Sequence, residues 1–340
     1  MSPSGERPRV SFMVATYNYG HYITHALDSL LSQTYPSLEV IVVDDASTDD
    51  TAQVLERYRD DDRVRVIRHA TNRGHIRTYN EGLAAARGEF VGLVSADDFC
   101  VRADAVARQV AIFDANPRVG LVYSAYAFAG GDGGTIWVKQ PWPESFVRSG
   151  FEEFRHLVYD NYVPASGPLV RRTCHEEVGW YDERLPHSGD WDLWLRIVAR
   201  YDVGYVAEPL YAYRVHAVNM HHRRIGPSQS TTEHVLTVWR AFDTLPATAP
   251  ESVRRLRPRA LRSALVRSVS VETAGGRARR GWRALLDVAR RAPAATLSRE
   301  FHGAAAKVVL LTVLGYPRYT RLAGRYGRRA AGRQLGAERS

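Results

Sequence analysis

Two acidic pairs stand where apolar runs of this 340-residue chain end: Asp44-Asp45 after Leu38-Glu39-Val40-Ile41-Val42-Val43, and Asp97-Asp98 after Glu89-Phe90-Val91-Gly92-Leu93-Val94-Ser95-Ala96. Hard divalent cations prefer carboxylate oxygens, and Mg²⁺ is commonly held by one or two carboxylates together with substrate phosphates. Asp97 and Asp98 are therefore a candidate cation site for a metal-bound diphosphate. Asp45 can accept from a base N–H, Tyr17 can stack on that base, and Arg73 and Arg77 lie close enough in sequence to reach a phosphate. A lone Asp-Asp at a strand end serves equally well as a turn or a helix cap, so order and spacing must decide.

The elements that would position these groups follow from periodicity. Residues 9–16, 38–43 and 64–67 read as strands, Ala26-Leu27 with Leu30-Leu31 marks a helical stripe, and Ser47-Thr48-Asp49-Asp50 offers N-caps for a helix through Tyr58. A helix over 80–86, stopped by Gly88, leads into the strand before Asp97. This alternation predicts an α/β, Rossmann-like, mostly parallel open sheet flanked by helices, in which ligands bind beyond the carboxyl ends of the strands. Further on, helices are expected over 105–114 and 151–159, a strand over 119–127, and a flexible turn over 129–134. Residues 188–198 read as a helix with Asp190 near its start, followed by two short strands at 203–206 and 210–215. The expected organisation is a domain over 1–222, divided at 100 into nucleotide-binding and acceptor halves, and a helical, Arg-rich extension over 223–340.

Composition narrows the class. With 45% hydrophobic residues the chain can bury a sizeable core, and Cys100 and Cys174 are too few for a disulfide framework or a cysteine-built zinc site, which fits a reducing cytoplasm. The first eight residues show no apolar leader segment, so no secretory signal is expected. Residues 251–340 carry a net charge of +16 against −7 for the first 250, nearly all of the excess from arginine. That tail is expected to be either a solvated helical surface or a contact for an anionic membrane, which would place the protein at the inner membrane face; no nucleic acid is expected. The apolar stretch Ala304–Leu314 is about half the roughly 20 residues a membrane-spanning helix needs.

In order and spacing, Val14-Ala15-Thr16-Tyr17-Asn18, Val42-Val43-Asp44-Asp45-Ala46-Ser47-Thr48-Asp49, Asn72-Arg73-Gly74, Ala86-Arg87-Gly88-Glu89-Phe90-Val91 and Ala96-Asp97-Asp98 resemble the inverting glycosyltransferases of family 2, which have the GT-A fold. The resemblance covers residues 9–220. It implies metal-dependent transfer of a sugar from a UDP-, dTDP- or GDP-sugar to a hydroxyl of a polysaccharide, lipid-linked precursor or secondary metabolite, with Mg²⁺ or Mn²⁺. By the same resemblance Ala15, Thr16 and Tyr17 line the base, Asp45 contacts it, and Arg77 lies near the nucleotide. Asp98 is then the metal ligand and Asp97 the contact to the donor ribose or sugar, although Ser95 stands where the family's signature has an acid. Ser188-Gly189-Asp190-Trp191-Asp192-Leu193-Trp194 is similar to the family's acidic catalytic segment, making Asp190 the general base and Asp192 its rival; Trp191 and Trp194 are candidates for an acceptor wall, with core packing the favoured reading for Trp194. Tyr213-Arg214-Val215-His216, followed by Asn219, resembles a late motif in which His216 joins the metal site or contacts diphosphate. Two alternatives remain: a nucleotidyltransferase making a nucleotide sugar, which the glycine-poor Ala15–Gly20 disfavours, and a non-enzymatic polyanion or membrane binder, which leaves the acidic constellation unexplained.

Overall fold

The computed structural model describes residues 7–216, 227–274, 276–291, 296–297 and 299–319. The expected 222/223 boundary and Asn219 lie outside them. The chain divides into two compact units, residues 1–223 with 240–254 and residues 224–239 with 255–340.

In the first unit ten strands form one sheet: β1 (Val10–Thr16), β2 (Leu38–Asp44), β3 (Val64–Arg68), β4 (Phe90–Ser95), β5 (Phe99–Cys100), β6 (Val119–Ala129), β7 (Thr135–Lys139), β8 (Phe146–Arg148), β9 (Leu169–Arg171) and β10 (Asp202–Arg214). The order is β3-β2-β1-β4-β9-β6-β10-β5, with β7 on β6 and β8 on β10. The long pairings β3-β2-β1-β4 and β6-β10 are parallel; the antiparallel ones involve strands of five residues or fewer. All seven residues of β2 are buried, as a strand covered on both faces requires. Helix α1 (Gly20–Leu31) buries Gly20, Ile23, Ala26, Leu27 and Leu30, one stripe at helical spacing against the sheet. Strand order reverses at β1, between β2 and β4, which brings Thr16, Asp44 and Ser95 to one edge.

Two elements differ from the sequence reading. β10 is one strand rather than two: Pro209 cannot donate to the ladder, but register shifts with β6 on either side of it absorb the interruption and pairing resumes. After α2 (Thr51–Leu55), helix α3 runs His75–Ala84, starting five residues before the expected Asn80. Its N-cap is Gly74, at φ 85°, with no capping side chain, so the usual Ser/Thr/Asp signal is missing.

Beyond α4 (Ala105–Ala115), a buried carboxylate organises the second half of the sheet. Helix α5 (Gly150–Leu157) carries Glu153, wholly buried, which accepts from the hydroxyls of Tyr123 and Tyr162 (both 2.8 Å) and from Arg148 Nε (2.6 Å). Helices α6 (Arg172–Val178) and α7 (Gly189–Val198) are then latched together. Arg196 of α7 donates to the carbonyls of Val178, Gly179 and Trp180, satisfying the orphan end of α6. Under that latch His175 stacks flat on Trp180, 4.7 Å between centroids, and its Nδ1 has no hydrogen-bond partner.

The remaining helices are α8 (Pro227–Asp243), α9 (Glu251–Arg254), α10 (Arg257–Ala274), α11 (Ala278–Arg291) and α12 (Arg299–Leu314). Within the second unit Leu285, Ala304 and Val308 form a small core with Val266 and Phe301 beside it. The apolar stretch in α12 is thus part core and part surface, with Val309, Leu310 and Val313 exposed. Among the described residues no helix is long and apolar enough to cross a membrane.

Burial and the charge of Arg196 push the His175 pKa down to about 4. The folded protein therefore keeps this imidazole neutral while the unfolded chain takes up a proton below its ordinary value near 6.5. Stability from this group is complete above about pH 6.5 and declines towards pH 4, by about 3 kcal/mol in all. Urea denaturation between pH 7 and 4 should show His175→Gln with a flatter stability profile than the wild type; parallel profiles would contradict the assignment.

Candidate active site

The three strand ends frame a cleft of about 330 Å³. Ala15, Thr16 and Tyr17 line it from β1, Asp45 from β2, His75, Thr78 and Tyr79 from α3, and Ser95 and Asp97 from the end of β4, with Tyr213 of β10 closing one side. Thr16 is 2% exposed and its hydroxyl has no partner, whereas Tyr17 is partly exposed at the rim.

Asp45 shapes the base of this cleft. Its Oδ1 accepts from the Arg73 amide (2.7 Å) and lies 2.7 Å from His69 Nδ1, while Oδ2 accepts from the Gly74 amide (2.9 Å). Burial opposes ionisation, but these bonds outweigh it and hold the Asp45 carboxyl below its usual range. The positive φ of Gly74 lets the loop fold back onto this carboxylate and start α3 beside the cleft. Next to Asp45, Ala46 takes φ 65°, a left-handed conformation costly for a residue with a side chain.

The pair after β4 separates into two environments. Asp97 Oδ2 lies 3.0 Å from His216 Nε2 and Asp97 lines the cleft. Asp98, 2% exposed, turns inward, where its Oδ1 accepts from the Arg214 amide (3.1 Å). Burial, then the charge of Asp97, push its pKa well up. The sequence reading takes Asp98 for the metal ligand and Asp97 for the donor contact; in the structure Asp97 is the member that lines the cleft beside His216, and Asp98 is turned to the Arg214 amide. The physical reason is the turn closed by the Asp98 amide on the Ser95 carbonyl (2.9 Å), which sends consecutive side chains in opposite directions on the way to β5.

Arg214 secures this arrangement. Nearly buried, it donates from Nε to the Asp97 carbonyl (2.9 Å) and from Nη1 to the Gly131 carbonyl (2.7 Å), and its Nη2 lies 2.7 Å from His25 Nδ1. Its guanidinium also sits over the rings of Tyr22 and Phe99.

Arg77 does not reach the cleft. It donates from Nε to Glu183 (2.8 Å) at the surface, because α3 turns His75, Thr78 and Tyr79 to the cleft at i, i+3, i+4 spacing and leaves Arg77 on another face. Asp190 sits in the first turn of α7, half-buried, accepting from Asn161 Nδ2 (3.1 Å) and from the Trp191 amide (2.7 Å). Tyr79 links it to the acidic pair: burial first, then the charges of Asp97, Asp98 and Asp190, raise the Tyr79 pKa. Asp192, by contrast, is 2% exposed and paired with Arg196 Nε at 2.9 Å, with Arg240 Nε at 3.6 Å. Trp191 and Trp194 form no acceptor wall; both are buried, Trp191 donating to the Leu157 carbonyl (2.8 Å). Tyr79, His75, Ser166 and Asn161 were missed in the sequence, and only proximity in the fold identifies them.

A divalent cation fits this site through its donor set. Asp97, which lines the cleft, and His216, 3.0 Å from it, offer one oxygen and one nitrogen donor, and among the described residues no group of three or more acidic, histidine or cysteine side chains is placed to hold a metal ion. Two protein ligands leave room for phosphate oxygens, as Mg²⁺ and Mn²⁺ sites with nucleotides require.

Residues 11–175 match the model of glycosyl transferase family 2, and through that domain the chain belongs to this family. The putative glycosyltransferase EpsH of Bacillus subtilis is 31% identical over 229 residues, which cover 62% of each protein. The chain thus spans less than two thirds of that relative's length, and 66% of another's. Among solved structures, Staphylococcus aureus TarS 1–349 in complex with UDP-GlcNAc superposes with a TM-score of 0.65 at 21% identity, over 88% of each chain. The mannosyltransferase PcManGT of Pyrobaculum calidifontis, in complex with GDP-Man and Mn²⁺, gives 0.54 at 22% identity over 91% of this chain and 87% of that one. These likenesses establish the GT-A type of fold.

The two acids of α7 should behave oppositely in denaturation. Asp192→Ala strands Arg196 and should lose about 3–5 kcal/mol, whereas Asp190→Ala should change stability by less than about 1 kcal/mol. Equal losses would contradict this division.

Proposed function

We propose that the protein transfers a glycosyl unit from a nucleoside diphosphate sugar to an acceptor hydroxyl with inversion at the anomeric carbon. The observation that carries this reading is the cleft at the strand-order reversal, lined by Asp45, by Asp97, which lies 3.0 Å from His216, and by Tyr79, whose pKa the charge of Asp190 helps to raise. The relatives' complexes with UDP-GlcNAc and with GDP-Man and Mn²⁺ support a nucleotide-sugar donor and a divalent cation for this chain too.

In this mechanism Tyr17 stacks on the base at the rim, while the unpartnered Thr16 hydroxyl and the Asp45 carboxylate hold polar groups of the nucleoside. Asp97 and His216 hold the cation, which when bound neutralises charge on the departing diphosphate. Asp190 accepts the proton of the acceptor hydroxyl as that oxygen bonds to the anomeric carbon and the bond to the diphosphate oxygen breaks. Hydrogen bonds from Asn161 Nδ2 and from the Trp191 amide fix the orientation of this carboxylate. A nucleotidyltransferase would instead need a glycine-rich phosphate loop after β1, where this chain has Asn18 and Tyr19.

A panel of UDP-, GDP- and dTDP-sugars with Mn²⁺, read by thermal stabilisation and donor hydrolysis, should single out one nucleotide; no response to any would contradict the reading. With that donor, Asp190→Asn should lower kcat by about 10²–10⁴-fold while leaving donor affinity within about threefold. Wild-type turnover by this variant would move the proton acceptor elsewhere.

A further inference from the structure

One aromatic face of the sheet is left over after the cleft is accounted for. On β6 Tyr126 and Phe128 point the same way, since Ala127 between them and Ala129 after them are buried on the other side. Across the ladders Phe128 is paired with Trp137 of β7 and Tyr213 of β10, and Tyr126 with Lys139 of β7. The rings of Phe128 and Trp137 stack almost coplanar, 8° apart at 4.0 Å, and Tyr213 meets Phe128 edge-on at 5.6 Å. Tyr126 adjoins Phe128 at 5.3 Å with the Lys139 ammonium 5.8 Å over its ring. Trp137 stays 49% exposed on an edge strand, although burying an indole is normally favourable.

This strip joins the proposed reaction site at two points. Tyr213 also lines the cleft. Tyr126 lies within the electrostatic reach of Asp160 and Asp190, whose charges, after burial, raise its pKa to about 12. We propose that Trp137, Phe128, Tyr126 and Tyr213 form the acceptor subsite, and that the acceptor is a saccharide whose pyranose ring stacks on Trp137 while its reacting hydroxyl extends towards Asp190. This rests on the glycosyl-transfer reading and adds the acceptor class to it.

The chemistry of the strip selects that occupant. A pyranose has an apolar C–H face and a rim of hydroxyls; the strip offers flat rings that carry tyrosine hydroxyls, with the Lys139 ammonium over Tyr126 and the charges of Asp160 and Asp190 near enough to Tyr126 to raise its pKa. A lipid chain would meet charged groups along this path, and a polyanion would meet two carboxylates. Aromatic stacking of this kind is tolerant of the ring's substituents, and a partly exposed indole leaves a face available for it.

The test uses the full chain and needs no donor. Maltohexaose, cellohexaose, chitohexaose and mannohexaose are titrated by saturation-transfer NMR and tryptophan fluorescence, with UDP, GDP and dTDP plus Mn²⁺ titrated in parallel. At least one hexasaccharide should bind, Trp137→Ala should weaken it at least tenfold, and Trp137→Phe should stay within threefold of the wild type. Nucleotide affinity should be unchanged in both variants. Equal saccharide binding by Trp137→Ala, or no binding of any hexasaccharide to the wild type, would overturn the inference. Loss of nucleotide binding in the wild type with saccharide binding retained would overturn the donor reading and leave the subsite standing.

Discussion

Two adjacent carboxylates, each less than a tenth exposed, sit at the end of β4, and the site depends on how that burial is compensated. Neighbouring like charges removed from water repel, so one member must give up charge readily or both must find partners. Arg214 resolves the conflict from the last position of β10: its amide binds Asp98, its guanidinium binds the Asp97 carbonyl, and the same group holds the Gly131 carbonyl and His25 of α1. Asp98, pushed towards its neutral form by burial and by Asp97, becomes the inner support, and Asp97 is the member turned to the cleft with His216. A single buried arginine thus ties α1, the β4–β5 turn and the β6–β7 turn to one strand end.

The opposite side of the cleft is built on the same principle with another acid. Asp45 is stabilised by two backbone amides of the 72–74 loop and by His69, and it draws that loop and the start of α3 against the ends of β1 and β2. α3 then delivers Tyr79, whose pKa is raised by burial and by the charges of Asp97, Asp98 and Asp190. Each acidic group in the site has a different partner set: Asp45 loop amides, Asp97 a histidine, Asp98 a backbone amide, Asp190 an asparagine. The different partner sets are what allow four carboxylates in one region to hold different roles.

Periodicity revealed most of the frame. The buried runs of β1, β2 and β4 and the α1 stripe were legible because strands covered on both faces and a one-sided helix leave distinct patterns. The start of α3 was not, because Gly74 replaces a capping side chain, and the unity of β10 was hidden by Pro209. Within the site, Asp45, Asp97, Asp190 and His216 could be named from motif order, but which way a side chain faces depends on turns and on partners distant in sequence. Asp98 reads as a metal ligand because its contact with the Arg214 amide is not visible in sequence, and Arg77 is placed near the nucleotide for lack of the α3 face. Trp191 reads as a wall candidate for lack of the α5–α7 packing that buries it, whereas Trp194 is buried as its core reading expects. The aromatic strip escaped for the same reason: Tyr126, Phe128, Trp137 and Tyr213 become one surface only when β6, β7 and β10 pair.

The division of labour between the paired aspartates is the centre of this account, and Mn²⁺ affinity measures it directly. In a paramagnetic-resonance titration of free Mn²⁺ with the protein and UDP or GDP, Asp97→Asn should weaken binding by at least an order of magnitude, as loss of a charged ligand does. Asp98→Asn, which keeps an acceptor for the Arg214 amide, should bind Mn²⁺ within about threefold of the wild type, well under the 1.4 kcal/mol of a tenfold change. The reverse ranking, with Asp98→Asn losing the metal and Asp97→Asn retaining it, would contradict the account.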